Sequence, residues 1–147
     1  WKFVEDLLRQ SKVLPKSSMT YQGVANGEYP IGLTFEQAAF EYLKGGAPIG
    51  LIYPTEGTAI TLDGSAIIKN APHPNAAKLF LDFTVSKEMQ ELMVDRFGRR
   101  SVRKDVGSPA GLPTLDKIKA ITYDLDYAAN NRTQLLKRFQ DALIKTQ

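Results

Sequence analysis

Apolar residues recur at helical spacing in some parts of the chain and form short continuous runs in others. The helical spacing predicts amphipathic helices over residues 1–11, 17–26, 35–44, 74–84, 86–97 and 133–145. Short apolar runs predict buried strands over residues 29–33, 49–53 and 65–69. Because strands and helices alternate early in the chain and helices dominate later, the pattern favours an α/β fold with a mixed or parallel sheet.

Hydroxyl side chains and prolines mark several of the predicted helix starts. Ser17 and Ser18 precede the second helix, Thr34 the third and Ser86 the fifth. Each carries a side-chain oxygen that can accept a hydrogen bond from an unpaired amide in the first helical turn. Pro74 suits the first position of the fourth helix, where an amide hydrogen would have no helical partner.

The most polar interruption of the apolar pattern is the hexapeptide 53–58, Tyr-Pro-Thr-Glu-Gly-Thr, directly after the predicted strand 49–53. Polar groups just past the C-terminal end of an α/β strand occupy the place where such sheets bind small ligands. The helix starts at 17–18 and 34–36 add exposed amides and hydroxyls that suit an oxyanion. Ordinary capping and a solvated loop explain the same residues, so both interpretations stay open. The candidate ligand-binding residues are Ser17, Ser18, Thr34, Phe35, Glu36, Tyr53, Glu56, Gly57 and Thr58.

Composition narrows the function classes. A chain of 147 residues with 43% apolar residues can bury a core of its own. Its net charge of +3 is too small to indicate nucleic acid, and it contains no cysteine for a disulfide or a thiolate metal site. The single histidine, His73, stands between two prolines, and no catalytic motif is recognisable. We therefore expect no enzyme activity, no cofactor and no metal site.

Five cations fall within residues 96–104 of the sequence. Arginine side chains suit phosphates, but no stacking aromatic residues are interleaved with them as in single-stranded nucleic-acid sites. A solvated face or a contact with a partner is the preferred interpretation of this stretch.

Several motifs follow one another in a characteristic order, at residues 23–33, 45–58, 66–70, 75–90 and 100–106. Within 75–90, an Ala-Ala-Lys-Leu-Phe run is followed by Ser-Lys-Glu-Met-Gln. Together they resemble the bacterial extracellular solute-binding proteins of ATP-driven (ABC) importers, in the class that binds ferric iron, phosphonates or sugar phosphates. The resemblance extends over nearly the whole chain.

The resemblance implies one lobe of a two-lobed, type II-like protein, with a mixed sheet flanked by helices, so the chain is interpreted as a C-terminal half. Residues 1–57 would form the core of that lobe up to the hinge. Residues 58–98 would contain the hinge strand and a helical segment that packs partly on the missing first lobe. Residues 99–147 would form the return crossing and the C-terminal helices. An exposed apolar patch within 58–98, or its burial against a second copy of the chain, is expected.

The ligand and partners follow from the same resemblance. Ferric-iron binders of this class resemble one another in an adjacent tyrosine pair, but this chain has residues 34–40, Thr-Phe-Glu-Gln-Ala-Ala-Phe, at that place. A small anionic solute, an organophosphate or phosphonate, is therefore favoured over ferric iron, which stays the alternative. The implied partners are that solute and an importer permease, without nucleic acid, and a homodimer of the chain is a further possibility. The implied location is periplasmic, or extracellular and membrane-anchored. A stand-alone regulatory or interaction domain is the second alternative.

Overall fold

The structure, a computed structural model, describes residues 1–146; Gln147, the last residue of the third predicted segment, lies outside that range. The described chain is mainly helical and contains seven α-helices, one 3₁₀ turn and two short strands. The helices are α1 (Lys2–Arg9), α2 (Ser17–Ala25), α3 (Glu36–Lys44), α4 (Pro74–Thr84), α5 (Lys87–Phe97), α6 (Leu125–Asn130) and α7 (Arg132–Thr146), with the 3₁₀ turn at Leu115–Lys117.

The sheet consists of two short parallel strands within the described residues. Strand β1 (Thr58–Ala59) pairs with β2 (Ala120–Ile121), with Thr58 opposite Ala120 and Ala59 opposite Ile121. A mainly helical chain with a small parallel sheet is compatible with part of an α/β solute-binding lobe.

The predictions of strands at 29–33, 49–53 and 65–69 were wrong, because none of these segments forms a ladder with another part of residues 1–146. Their apolar side chains are also largely exposed, with Ile31 at 80%, Ile52 at 88% and Ile68 at 73% of full accessibility. A strand needs a hydrogen-bonding partner alongside it, and an apolar run in the sequence does not show whether that partner exists.

The helix predictions fared better, because helical hydrogen bonds are local. All six predicted helices are present, and α6 is an additional one. Pro74 occupies the first turn of α4 as expected. Ser86 caps α5 through a hydrogen bond of 3.2 Å that its Oγ accepts from the amide of Met89, and Gly98 ends that helix with a positive φ of 61°.

The predicted caps of α2 and α3 were wrong. The N-cap of α2 is Lys16, so Ser17 and Ser18 fall inside the first turn, where their side chains make no cap bond. The N-cap of α3 is Phe35 rather than Thr34, and its side chain cannot cap. In both cases the helix begins one residue away from the position at which the hydroxyl would reach the free amides.

One packed part of the chain joins α3 to the end of α5 and the loop that follows. Ala38, Ala39 and Phe40 of α3 are buried, as is Val94 of α5. A Cβ at Gly98 would overlap the ring of Phe40, so the glycine allows the α5 end to approach α3 closely. A second contact pairs α1 with α7, where Leu8 and Ala142 are buried.

Much apolar surface remains uncovered elsewhere. The accessible surface is 11612 Å², whereas a compact 16.3 kDa monomer is expected to expose about 7,500 Å². Helix α4 buries none of its residues, and within residues 58–98 the large exposed apolar side chains are Ile60, Leu62, Ile68, Leu79, Phe80, Phe83, Val85, Leu92 and Phe97. No helix in the described part of the chain has both the length and the apolar character needed to cross a membrane.

Candidate functional site

Three side chains from distant parts of the sequence meet in one hydrogen-bonded group, called here the Glu36–Tyr53–Arg100 network. The guanidinium of Arg100 donates from Nε to Glu36 Oε1 at 2.8 Å and from Nη2 to Glu36 Oε2 at 2.9 Å. The phenol of Tyr53 donates to Glu36 Oε2 at 2.5 Å. The carboxylate of Glu36 therefore receives three hydrogen bonds and a compensating charge.

Local structure places each member of this network. Glu36 is the first residue of α3, where a carboxylate interacts favourably with the positive end of the helix. Arg100 lies two residues beyond Gly98, whose left-handed conformation turns the chain back toward α3. Tyr53 is the last residue of an apolar run and is followed by Pro54.

The guanidinium of Arg100 also binds the loop that follows it. Its Nη1 donates to Ser108 Oγ at 3.3 Å and its Nη2 donates to the carbonyl of Pro113 at 2.8 Å. Only 16% of the Arg100 side chain and 22% of the Glu36 side chain is accessible. The pair is therefore shielded from water and ties α3 to the segment after α5.

This partly buried setting changes two proton affinities. Burial, the hydrogen bond to Glu36 and its negative charge raise the pKa of Tyr53 to about 12, against the opposing effect of Arg100. Burial alone would lower the pKa of Arg100, but the hydrogen bond to Glu36 and its charge outweigh it and raise that pKa. At neutral pH the Tyr53 phenol is consequently neutral and the Arg100 guanidinium is charged.

The loop carrying Arg100 is fixed by a second set of hydrogen bonds. The side chain of Gln90 accepts from Ser101 Oγ at 2.8 Å and from the amide of Val102 at 3.1 Å. Arg103 pairs with Asp105 through two hydrogen bonds of 2.8 and 2.9 Å. These contacts hold residues 100–105 against α5.

The hexapeptide that contains Glu56 forms a turn leading into β1. The amide of Gly57 donates to the carbonyl of Pro54 at 3.1 Å, and Thr55 Oγ1 donates to the exposed carboxylate of Glu56 at 3.3 Å. The amide of Thr58 donates to the carbonyl of Lys119 at 2.9 Å and begins the pairing with β2.

Gly57 has a conformational role in this turn. Its φ is 119°, and a Cβ there would lie 2.6 Å from Ile121 Cγ2 and 3.1 Å from the carbonyl oxygen of Lys119. The glycine therefore lets β1 reach β2, whatever contact it makes with a ligand.

The remaining candidates lie at the starts of α2 and α3. Ser17 is exposed and Ser18 half-buried in the first turn of α2, and Thr34 is exposed just before α3. The ring of Phe35 is 54% exposed and meets Tyr21 of α2 edge-on, with ring centroids 6.3 Å apart. Of the nine candidates, the structure joins Glu36 and Tyr53 directly, and among residues 1–146 none of the other seven makes a side-chain hydrogen bond or ring contact with that pair.

Sequence reasoning missed the partners of Glu36. The sequence placed Arg100 in a solvated basic stretch, although only 16% of its side chain is accessible. Its other partners, Ser108 and Pro113, were not singled out. The one usable signal was the cluster of cations directly after the glycine that ends α5. A cluster alone does not say which of its members turns inward.

The two candidate carboxylates differ in how far other side chains already bind them. Glu36 is fully engaged by its partners, whereas the carboxylate of Glu56 is exposed and accepts one long hydrogen bond. In residues 1–146 no group of three or more histidine, cysteine, aspartate or glutamate side chains is close enough to hold a metal ion.

Comparison with known proteins identifies the family of this chain. The family profile described as bacterial extracellular solute-binding protein matches residues 1–127. A curated protein of Haemophilus influenzae, described as an uncharacterized protein, is 32% identical over 138 residues, which is 91% of this chain and 40% of that protein. The chain thus spans less than half the length of this relative. No solved structure matches significantly.

Proposed function

Because the chain belongs to the bacterial extracellular solute-binding proteins, we propose that it acts as the substrate-binding component of an ATP-driven importer and captures a small anionic solute. The observation that carries the proposal is the family match over residues 1–127. Proteins of this family bind solutes and are generally not enzymes. The family description also indicates a location outside the cytoplasmic membrane, which we propose is the periplasm or a membrane-anchored site, with an importer permease as partner.

The proposed solute is an organophosphate or a phosphonate. The phosphorus-bearing group would be held by amides, hydroxyls and cations, for which the starts of α2 and α3 and the basic loop after α5 are suitable. Hydroxyl or amine groups of the solute would bind the exposed carboxylate of Glu56, helped by Thr58. Glu36 would contribute by fixing Arg100 rather than by direct contact, because its carboxylate already has three donors.

Ferric iron is the alternative ligand, and the state of Tyr53 weighs against it. Ferric sites of this class use phenolate oxygens, which are formed by loss of the phenol proton. The Tyr53 phenol keeps its proton and donates a hydrogen bond to Glu36, and its pKa is raised to about 12. Removing that proton at neutral pH would also place two negative oxygens side by side.

The proposed conformational change uses the turn at residues 54–57 as part of a hinge. Pro54 restricts the backbone at one end of the turn, and Gly57 has a φ of 119° at the other. Residues 1–57 and 99–147 would then move relative to the first lobe and to the part of residues 58–98 that packs on it. A solute shifts the population toward the closed form only by contacting both sides of the cleft.

We also propose that the free chain forms a homodimer that covers the apolar side chains of residues 58–98. The excess over the accessible surface expected of a compact monomer, roughly 4,000 Å² per chain, exceeds what a stable interface needs. Light scattering across a hundredfold range of concentration should show twice the chain mass. A monomer at all concentrations would contradict the dimer but not the solute-binding function.

Calorimetry with a panel of solutes tests the proposed ligand class. Phosphonates and phosphorylated small molecules should release or absorb heat saturably, whereas ferric citrate should not. Glu56→Ala should weaken the binding without lowering the melting temperature, and Asp82→Ala, an exposed acid-to-alanine change on α4, serves as the control. Binding of ferric citrate alone would overturn the anionic-solute proposal, and binding of a protein partner instead would favour the stand-alone interaction domain.

A further inference from the structure

A cavity of about 300 Å³ opens beside Arg100. Its wall is formed mainly by the loop of residues 100–108, together with Leu115 of the 3₁₀ turn. Three of the lining side chains are cationic and two bear hydroxyls: Arg100, Arg103, Lys104, Ser101 and Ser108. No carboxylate lines it among the described residues.

The charges around this cavity are only partly compensated. Arg100 is paired with Glu36, and Arg103 is paired with Asp105 through two hydrogen bonds. Lys104 has no hydrogen bond or ion pair with any other residue in the range 1–146. One full positive charge is therefore left to a ligand.

The cavity also has unused hydrogen-bond donors. A guanidinium carries five N–H groups, and four of those on Arg100 reach Glu36, Ser108 and the carbonyl of Pro113. One N–H of Nη1 remains. Ser108 Oγ accepts from Arg100, so the hydroxyl proton of Ser108 is free to donate to another group.

The geometry points to a binding site for a phosphate or phosphonate group in this cavity, held by Lys104 Nζ, the free N–H of Arg100 and the hydroxyl of Ser108. Because Glu36 and Pro113 fix the guanidinium, Arg100 needs little reorganisation to donate to such a ligand. The site deepens the proposed function and rests on it for the natural ligand, an organic solute bearing that group. Binding of the phosphate group in the cavity is inferred from the donors and the charge alone.

The site can be tested by titrating the ¹⁵N-labelled chain with inorganic phosphate, methylphosphonate and acetate in low salt. Phosphate and methylphosphonate should cause saturable shifts of the amides of residues 100–108. Salt should weaken the binding, because an exposed ammonium is screened. Tighter binding of methylphosphonate would indicate an organic solute as the source of the group, and tighter binding of inorganic phosphate the free ion.

Two substitutions probe the donors. Lys104→Gln should weaken phosphate binding about tenfold, the effect of losing one charge-assisted hydrogen bond. Ser108→Ala should weaken it by about threefold, since a neutral hydrogen bond is lost. Lys78→Gln is the matched control, because Lys78 is exposed on α4 and its removal changes the net charge equally. It should change the affinity less than twofold, by the weak long-range field alone. Circular dichroism melting of each variant confirms that it is folded.

Several results would overturn the site. They are an equal loss of affinity in Lys78→Gln and Lys104→Gln, phosphate shifts confined to residues outside 100–108, and saturable binding of acetate without phosphate. A phosphorylated solute that binds with no shift in 100–108 and full affinity in Lys104→Gln would overturn the cavity but leave the solute-binding function. If phosphate binds as expected but no solute of the calorimetric panel binds, the cavity stands and the proposed solute-binding function is overturned.

Discussion

Helices α4 and α5 are consecutive, equal in length and both amphipathic in sequence, yet only α5 has a place in the core. Val94 of α5 is buried beside Phe40 of α3, and the loop after α5 is fixed to α3 through Arg100. Helix α4 buries no residue, and its Phe80 is 62% exposed. An apolar stripe therefore predicts a helix that needs a partner, and only the fold shows whether that partner is within the chain.

The same contrast separates the two carboxylates that the sequence singled out. Glu36 lies in the α3–α5 region and is held by three donors from Tyr53 and Arg100. Glu56 lies in an exposed turn and accepts one hydrogen bond from the adjacent Thr55. Glu36 therefore stabilises the fold, whereas Glu56 is exposed and accessible to a ligand.

The largest expected difference in unfolding free energy is between substitutions of Phe40 on α3 and Phe80 on α4. Phe40→Ala should lower the free energy of unfolding by about 3–5 kcal/mol, because it opens a cavity among Val94, Pro109 and Gly111. Phe80→Ala should change it by less than about 0.5 kcal/mol, as at other exposed positions. Urea denaturation followed by circular dichroism measures both. A large loss for Phe80→Ala at high protein concentration would show that α4 is buried in an assembly.

The second-largest difference in stability is expected between substitutions of the two carboxylates, Glu36 and Glu56. Glu36→Ala leaves the guanidinium of Arg100 partly buried without its counter-charge, and should cost about 2 kcal/mol, between the values for exposed and fully buried pairs. Glu56→Ala should leave the urea midpoint unchanged. Equal effects of the two changes would remove the distinction between a structural and a ligand-accessible carboxylate.

Helix caps offer a smaller contrast. Ser86→Ala removes the hydrogen bond to the amide of Met89 and should cost about 1 kcal/mol. Thr34→Ala should cost only a few tenths of that, because Phe35 occupies the N-cap position of α3. Thermal melting of the two variants compares them, and an equal loss would show that α3 begins at Thr34 in solution.

The smallest effect is spectroscopic. The chain has six tyrosines, and the pKa of Tyr53 is raised to about 12. Because the folded-state pKa is the higher one, the stability from this proton is fully present below pH 10 and is lost as the pH rises toward 12. Ultraviolet titration of phenolate formation should show a late ionisation that Tyr53→Phe removes. If the late ionisation is also lost in Glu36→Ala, the raised pKa of Tyr53 depends on the Glu36–Tyr53–Arg100 network.

The helices could be predicted from the sequence because their hydrogen bonds join residues four apart. Pro74, Ser86 and Gly98 marked true ends of α4 and α5 for the same reason. The strands could not be predicted, because Ile31 and Ile52 stand in apolar runs whose pairing partners, if any, are distant in sequence. The pairing of residue 58 with residue 120 left no local signal beyond the glycine before it.

The sequence by itself determined the helical segments, the family and the polar residues worth testing, since periodicity and motif order are properties of neighbouring residues. It singled out both Glu36 and Glu56 as candidate ligand contacts. Tertiary structure alone decided that Arg100 turns inward to Glu36 while Lys104 stays unpaired at the edge of a cavity. The physical reason is that pairing and desolvation depend on which segments meet in space, and Glu36 and Arg100 are 64 residues apart in the chain.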